Sequence, residues 1–279
     1  MRITIIGIGL IGGSAALVLR SKGVASHVIG VDNNETHCQQ ALQLGVVDEI
    51  LPLAEAVQQS DVIIVAVPVD STIKVLIPVL DMVSNQVVLD MGSTKSQIIE
   101  AVLDHPHRGR FVAAHPMWGT EFSGPAAATV YSYAGKAAII CNAEQSDNDA
   151  LQTTQQLLQQ MGMHLVYMSA ADHDIHTAYI SHISHITSFA LANTVLEKER
   201  EEQAIFELAS AGFESTVRLA KSNPDMWVPI FRQNKENVLD VLNEHISQLR
   251  KFKACLEKEN WDYLRELIGQ ANNIKRILK

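Results

Sequence analysis

This sequence predicts an α/β fold: a doubly wound, mostly parallel sheet followed by an all-α C-terminal domain. Three observations carry that expectation. Apolar, β-branched runs alternate with helical stretches through residue 168, the pattern of repeated βα units. The first run breaks into Gly7-x-Gly9-x-x-Gly12. From Ser169 onward no convincing strand remains and long helical segments take over. The division gives a dinucleotide-binding domain at 1–168 and a helical substrate and dimerisation domain at 169–279.

Ile3 to Ile6 reads as a strand buried on both faces. Gly7 permits the tight turn out of it, Gly9 lets backbone amides approach a pyrophosphate, and Gly12 lets the following helix pack against the sheet. That helix, opened by Leu10 and Ile11 and running to about Lys22, presents its N-terminus to the anion. His27 to Val31 is the second strand. It leads into Asp32, 20 residues past Gly12, where a carboxylate can accept both ribose hydroxyls of NAD. The element is therefore Rossmann-type, with Gly7, Gly9, Leu10, Ile11, Gly12 and Asp32 as candidate cofactor residues.

A helix is expected over Glu35 to Leu44, then a short apolar segment at Val46 to Leu51. Asp61 to Val67 is a clear strand stopped by Pro68. Val67 and Pro68 end it in a loop that can lie beside the dinucleotide, and a helix follows from about Asp70 to Met82. Gln86 to Asp90 is a strand, and Met91 to Lys95 opens a helix. Phe111 to Ala114 is a strand ending in His115-Pro116. Ala137 to Cys141 and His164 to Met168 are strands around a helix at about Asp147 to Met161. Beyond Ser169, Ile175 to Leu196 is nearly apolar all round, and the run Glu197 to Glu202 reads as a solvated corner between helices. Pro224 and Pro229 punctuate further helices. Asn243 to Leu278 keeps helical apolar spacing.

Composition narrows the function. Apolar content of 47% is ample for a core, and a net charge of −9 without a basic run speaks against nucleic acid or anionic membrane as partner. Three scattered cysteines in no CxxC pair point to a reducing compartment and no structural zinc. No run reaches membrane-spanning length, and the first residues already belong to a strand, leaving no room for a signal peptide. A cytoplasmic location is expected.

Ligands of an open α/β sheet sit beyond the carboxyl ends of its strands. Ser93 follows one such end, in Gly92-Ser93-Thr94-Lys95, and His115 lies at another, in His115-Pro116-Met117-Trp118-Gly119-Thr120-Glu121. A histidine there suits general acid–base work. Taken alone, a His-Pro pair is more often a loop corner.

Taken in order, several motifs resemble the prephenate/arogenate dehydrogenase family of tyrosine biosynthesis. They are Asp90-x-Gly92-Ser93-x-Lys95, the His115 segment through Gly124, Asp172-His173-Asp174, Ser181-His182-x-x-His185, Gly212-Phe213 with Thr216-x-Arg218, and Asn223-Pro224-x-Met226-Trp227 with Asn234 to Asn237. The resemblance covers essentially the whole chain. It implies NAD-dependent oxidative decarboxylation of prephenate to 4-hydroxyphenylpyruvate: hydride leaves C4 of the cyclohexadienol, CO2 departs and the ring aromatises. It makes His115 the catalytic residue that takes the hydrogen bond and proton of the C4 hydroxyl, with Ser93 orienting both. Arg218 grips a substrate carboxylate, its planar fork suiting a bidentate contact. His185, Glu121, Thr120 and Trp227 match pocket positions. The family also implies interlocked subunits, hence a homodimer, and the expected form is single-function, with no regulatory or chorismate mutase domain.

Other readings stay open at this point. Ser93 can be a helix N-cap, Arg218 can pair with Glu214 one turn away, and Glu121 can be solvated. His182 and His185 can be core histidines, and Trp227 core; two imidazoles without a third ligand make a poor metal site, so no metal is expected. The substrate can be arogenate. Another two-domain dehydrogenase of hydroxy acids or imines, or a non-catalytic NAD-binding regulator, would share the architecture. Trp118 replaces a small residue of the family pattern and should narrow or reshape the pocket. Ser184 replaces a proline, which removes a helix kink.

Overall fold

The structure, a computed structural model, describes residues 1–202 and 205–277, with the backbone alone at 200–202 and 206. β1 (Arg2–Ile6) leads to α1 (Leu10–Ser21), β2 (His27–Val31), α2 (Glu35–Gln43), β3 (Glu49–Ile50) and α3 (Leu53–Gln58). Then come β4 (Val62–Val65), α4 (Val69–Met82), β5 (Val87–Asp90) and α5 (Ser96–Ala101). β6 (Phe111–Pro116), β7 (Ala137–Cys141), α6 (Asn148–Gln160) and β8 (His164–Met168) complete the alternating part. Strand order is β3-β2-β1-β4-β5-β6-β7-β8, and every pair is parallel except β6 with β7. The expected doubly wound sheet is therefore present.

Alternation along each strand feeds two apolar layers. Ile3 and Ile5 face Ala15 and Leu19 of α1 and Leu157 of α6. Ile6, Ile63 and Val65 face Leu76 and Leu80 of α4 and Ile98 of α5. Each fully buried Ile, Leu or Val side chain among them contributes about 1.5–3 kcal/mol. Because β1, β4, β5 and β6 are neighbouring parallel strands, their carboxyl ends line one edge of the sheet. That edge gathers the glycine turn, Val67-Pro68, Ser93 and His115.

Ser169 ends the alternation by capping α7 (Ala170–Thr177). Its Oγ accepts from the Asp172 amide at 3.0 Å and donates to Asp172 Oδ2 at 2.7 Å. A π turn, Ala178–His182, carries α7 into α8 (Ile183–Glu202), and no break occurs at Ser184. α9 (Ala211–Val217), α10 (Pro224–Gln233), α11 (Lys235–Glu257) and α12 (Trp261–Ala271) follow. Residues 1–234 and 235–279 form two compact units, and within the second α11 packs on α12 with Cys255 and Leu267 buried. No helix among the described residues is long and apolar enough to cross a membrane.

Four local expectations need correction. The run at 197–202 is not a corner: it forms the last turns of α8, consistent with the helix propensity of Glu, Lys and Arg. The side chains at 200–202 lie outside the described residues. Pro229 sits inside α10 rather than ending it, in a helix anchored by buried Trp227 and Ile230. A short helix absent from the expected order, α3, opens after Pro52 with Ala56 and Val57 buried. The helix after β5 starts at Ser96 with Lys95 as its N-cap residue, so Ser93 is not a cap.

Candidate active site

The glycine turn shows why these positions need glycine. Gly7 has φ +91°, and a β-carbon there would lie 2.7 Å from the Ala66 carbonyl oxygen. At Gly12 a β-carbon would collide with the Gly7 carbonyl oxygen and come within 2.7 Å of Ile5 Cγ2. At Gly9, by contrast, nothing stands within 4 Å of that position. Gly9 is also the N-cap of α1 and has no side chain, so the first-turn amides of Leu10 and Ile11 receive no cap bond from it. Val67 Cγ1 would lie 3.0 Å from a β-carbon at Gly7, so Val67 and Pro68 flank the turn. Asp32 Oδ2 accepts from the Ile8 amide and Oδ1 from the Asn34 amide, both at 2.9 Å. This pins the carboxylate beside the turn, with His37 Nδ1 3.8 Å away. An open amide-lined cradle beside a fixed carboxylate fits a dinucleotide.

The connection from β6 to β7 folds back over α1. The Thr129 amide donates to Ser14 Oγ (3.0 Å) and the Tyr133 hydroxyl donates to the Ile11 carbonyl (2.7 Å). Trp118 stands edge-on against Tyr133, ring centroids 5.2 Å apart. A cleft of about 640 Å³ opens between Leu10 and Trp118, Thr120, Glu121 and Phe122. Trp118 thus forms part of its wall.

At the ends of β5 and β6 the polar groups are tightly ordered. Asp90 and Lys95 form a fully buried ion pair. Asp90 also accepts from the Gly92 amide (2.9 Å) and the Ala114 amide (3.3 Å), tying the turn that carries Ser93 to β6. Ser93 is half-buried. The described hydrogen bond of the half-buried His115 runs to His173 rather than to Ser93: His115 Nδ1 lies 2.8 Å from His173 Nε2. His173 Nδ1 lies 2.8 Å from Asp174 Oδ1, and Asp174 further accepts from the Lys95 amide (2.8 Å) and the Ser96 amide (2.9 Å).

Desolvation, then the neighbouring His173, Lys95 and His182, hold His115 well below the ordinary imidazole range. Burial likewise lowers His173, with Asp174 opposing. Burial pushes Asp174 up, but hydrogen bonds from His173 and Ser96 more than cancel this, leaving its carboxyl below the usual range. His115 and His173 are therefore neutral and Asp174 ionised near neutral pH.

The helical part supplies the remaining candidates in pairs. Arg218 Nη1 meets Glu121 Oε2 at 3.3 Å, so the expected alternatives of a Glu214 partner and a solvated Glu121 give way to each other's company. His185 stacks on Trp227, ring centroids 3.5 Å apart, with its Nδ1 3.0 Å from the Ser181 carbonyl. Burial lowers its pKa. Trp227 is buried against Val69 and Ile230. Thr120 is exposed, its hydroxyl accepting from the Phe122 amide at 3.3 Å. His182 is a satisfied core histidine: Asn234 Nδ2 lies 3.2 Å from its Nδ1, and burial lowers its pKa to about 4. Among the described residues no cluster of three or more His, Cys, Asp or Glu could hold a metal.

The sequence reading assigned no role to His173, Asp174 or Lys95. The adjacent His173-Asp174 pair directly after a helix cap was the available signal.

Comparison with known proteins places this geometry in context. The family description "Prephenate dehydrogenase, nucleotide-binding domain" matches residues 15–167, and "Prephenate dehydrogenase, dimerization domain" matches 169–270. The chain is 32% identical over 266 residues to a prephenate dehydrogenase of Bacillus subtilis, covering 94% of this chain and 72% of that protein. The crystal structure of an Aquifex aeolicus prephenate dehydrogenase, in complex with hydroxyphenyl propionate and NAD+, superposes with a TM-score of 0.90 at 30% identity. That match covers 99% of this chain and 97% of the other. A Synechocystis arogenate dehydrogenase matches across 100% of both chains at 26% identity and a TM-score of 0.78.

Proposed function

The chain belongs to the prephenate dehydrogenase family, and from that premise we propose that it is an NAD-dependent enzyme of tyrosine biosynthesis. It converts prephenate to 4-hydroxyphenylpyruvate and CO2. Arogenate, which differs in carrying an amino group in place of the side-chain keto group, is the second reading, favoured by the likeness to the Synechocystis enzyme. The observation that carries the proposal is His115. It is an imidazole held neutral by its surroundings at the carboxyl edge of the sheet, two strands from β4 and beside the strand that presents Ser93.

In this reading Gly7, Gly9, Leu10, Ile11 and Gly12 hold the pyrophosphate, Asp32 the adenosine ribose, and Val67 and Pro68 the flank of the cofactor. When bound, NAD supplies the acceptor for the C4 hydride. His115 takes the proton of the C4 hydroxyl as the hydride leaves, so that positive charge does not accumulate at C4–O. Loss of the ring carboxylate as CO2 returns its electron pair to the ring, and His115 gives the proton back to the phenol oxygen. Ser93 hydrogen-bonds the same hydroxyl. Arg218 binds a substrate carboxylate, with Glu121, Thr120, His185 and Trp227 shaping the surrounding pocket. The nucleotide-binding domain ends at 168 and the helical substrate and dimerisation domain begins at 169. A reducing cytoplasm suits the three free cysteines.

The test is NADH formation on adding prephenate or arogenate, with NAD or NADP, to the purified chain. Prephenate with NAD should be the productive pair. Asp32 repels a 2′-phosphate, a like-charge conflict of several kcal/mol, so kcat/KM with NADP should fall roughly a hundredfold or more. Asp32→Ser should narrow the gap. Equal use of NADP would refute the assignment of Asp32, and no turnover of either substrate would refute the function.

A homodimer through the helical domain is also expected. Leu249, Leu256, Trp261 and Ile268 of α11 and α12 each leave about half their surface exposed, more apolar area than a lone helix pair usually shows to water. Light scattering should give twice the 30.7 kDa chain mass at micromolar concentration; the single-chain mass would contradict it.

A further inference from the structure

We propose that His173 and Asp174 form a positioning relay that sets the tautomer of His115, leaving its Nε2 bare to receive the substrate proton. The inference rests on the reading of His115 as the base of the reaction. It follows from counting protons along the hydrogen-bonded chain Asp174–His173–His115.

Asp174 Oδ1 already accepts the Lys95 amide at 2.8 Å, and Oδ2 accepts the Ser96 amide at 2.9 Å. Backbone amides can only donate, so this carboxylate is held as an acceptor. His173 Nδ1, 2.8 Å from Oδ1, must then carry a hydrogen. His173 is fully buried, and burial lowers its proton affinity, so the ring is neutral and its Nε2 bare. A bare nitrogen accepts. His115 Nδ1, 2.8 Å away, must therefore be the N–H donor, and the neutral His115 ring is left with its lone pair on Nε2. The edge-to-face arrangement of the two rings, centroids 5.0 Å apart at 71°, suits an in-plane N–H meeting an in-plane lone pair.

The relay has a second consequence once the proton arrives. His115 becomes an imidazolium whose Nδ1–H points at a nitrogen backed by a carboxylate, so the charge that forms is met by Asp174 through His173. The other charged and titratable groups around the pair are Asp90 and Lys95, a buried ion pair whose Lys95 opposes charge on His115, and His182, which burial keeps neutral. Asp174 is the anion hydrogen-bonded to the pair, through His173 Nδ1. His173 touches neither substrate nor cofactor in this scheme and acts through His115 alone.

Long-range ¹H–¹⁵N spectra of the full chain, labelled at histidine nitrogens and recorded near neutral pH without ligands, read the tautomers directly. The expected result is a protonated Nδ1 and bare Nε2 at His115, the form less favoured by a free imidazole. Kinetics then follow His173→Leu and His173→Gln. In His173→Leu, kcat should fall on the order of 10²–10³-fold, while KM for prephenate stays within about threefold of the parent. The acid limb of kcat should shift, because the group that meets His115 Nδ1 and bears on its proton affinity is gone. In His173→Gln the side-chain carbonyl can still accept from His115 Nδ1, and most of the lost kcat should return. A protonated Nε2 on His115 in the parent chain would overturn the relay. So would a folded His173→Leu variant with parental kcat and an unmoved acid limb. The spectra need no turnover: a parent chain inactive on prephenate would sink the functional reading and leave the relay judged on the nitrogens alone.

Discussion

His115→Asn is expected to turn over on the order of 10²–10⁴-fold more slowly than the parent chain, the range for a positioned acid–base group, with KM for prephenate little changed. Asparagine keeps a hydrogen-bonding side chain of similar reach but cannot take a proton. The loss therefore falls on an interaction that strengthens only as hydride leaves C4, and it appears in kcat. The pH dependence carries the same signature. A base must be unprotonated, so kcat falls as pH drops through the pKa of His115. An unperturbed imidazole would place that limb near ~6.5; desolvation holds His115 well below this, so activity should persist into more acidic solution. Steady-state kinetics across pH decide the point. A variant with near-parental kcat and its acid limb intact would move the base elsewhere, with His185 the next candidate.

Arg218→Ala should act on the other kinetic constant. A substrate carboxylate is held before and during hydride transfer, so losing its partner removes mostly uniform binding and raises KM. Truncating one member of a charge pair costs roughly 2–5 kcal/mol when the pair is buried. Arg218 is half exposed in the free chain, which puts the expected loss near the low end, about 2 kcal/mol or roughly 30-fold in KM. Its ion pair with Glu121 gives the control. If Arg218 served only that pair, Glu121→Gln and Arg218→Ala would have similar small effects on KM and both would appear as altered thermal stability.

The sheet was legible because its strands are written as apolar runs between turn residues, and the run length needs no knowledge of the partner strand. Elements that draw their definition from elsewhere were not. Residues 91–95 read as a helix start, yet α5 begins at Ser96, because Asp90 bends the turn by accepting from the Gly92 amide. The charged run at 197–202 reads as a corner, although its residues favour helix and α8 simply continues through it. Side-chain partnerships were hidden for the same reason. Arg218 had Glu214 as its visible neighbour, whereas Glu121, 97 residues away in sequence, is the one it meets. The neighbour of His115 lies 58 residues on, and nothing in the local pattern of either histidine announces the other.

Asp174 has a bearing on the order in which this protein becomes competent. α5 has no cap of its own: Lys95 at its N-cap makes no side-chain bond to the helix, and the carboxylate that receives the Lys95 and Ser96 amides belongs to a residue 79 positions later than Lys95. A cap of this kind is worth on the order of 1 kcal/mol. During synthesis the glycine turn and Asp32 can assemble as soon as the first strands pair. The β5–α5 junction, with Ser93 on it, must wait for α7 to emerge and dock. The emerging chain thus contains the glycine turn and Asp32 before it contains the carboxylate that caps α5. In a chain that ends before Ser169, the Lys95 and Ser96 amides would lack the Asp174 carboxylate.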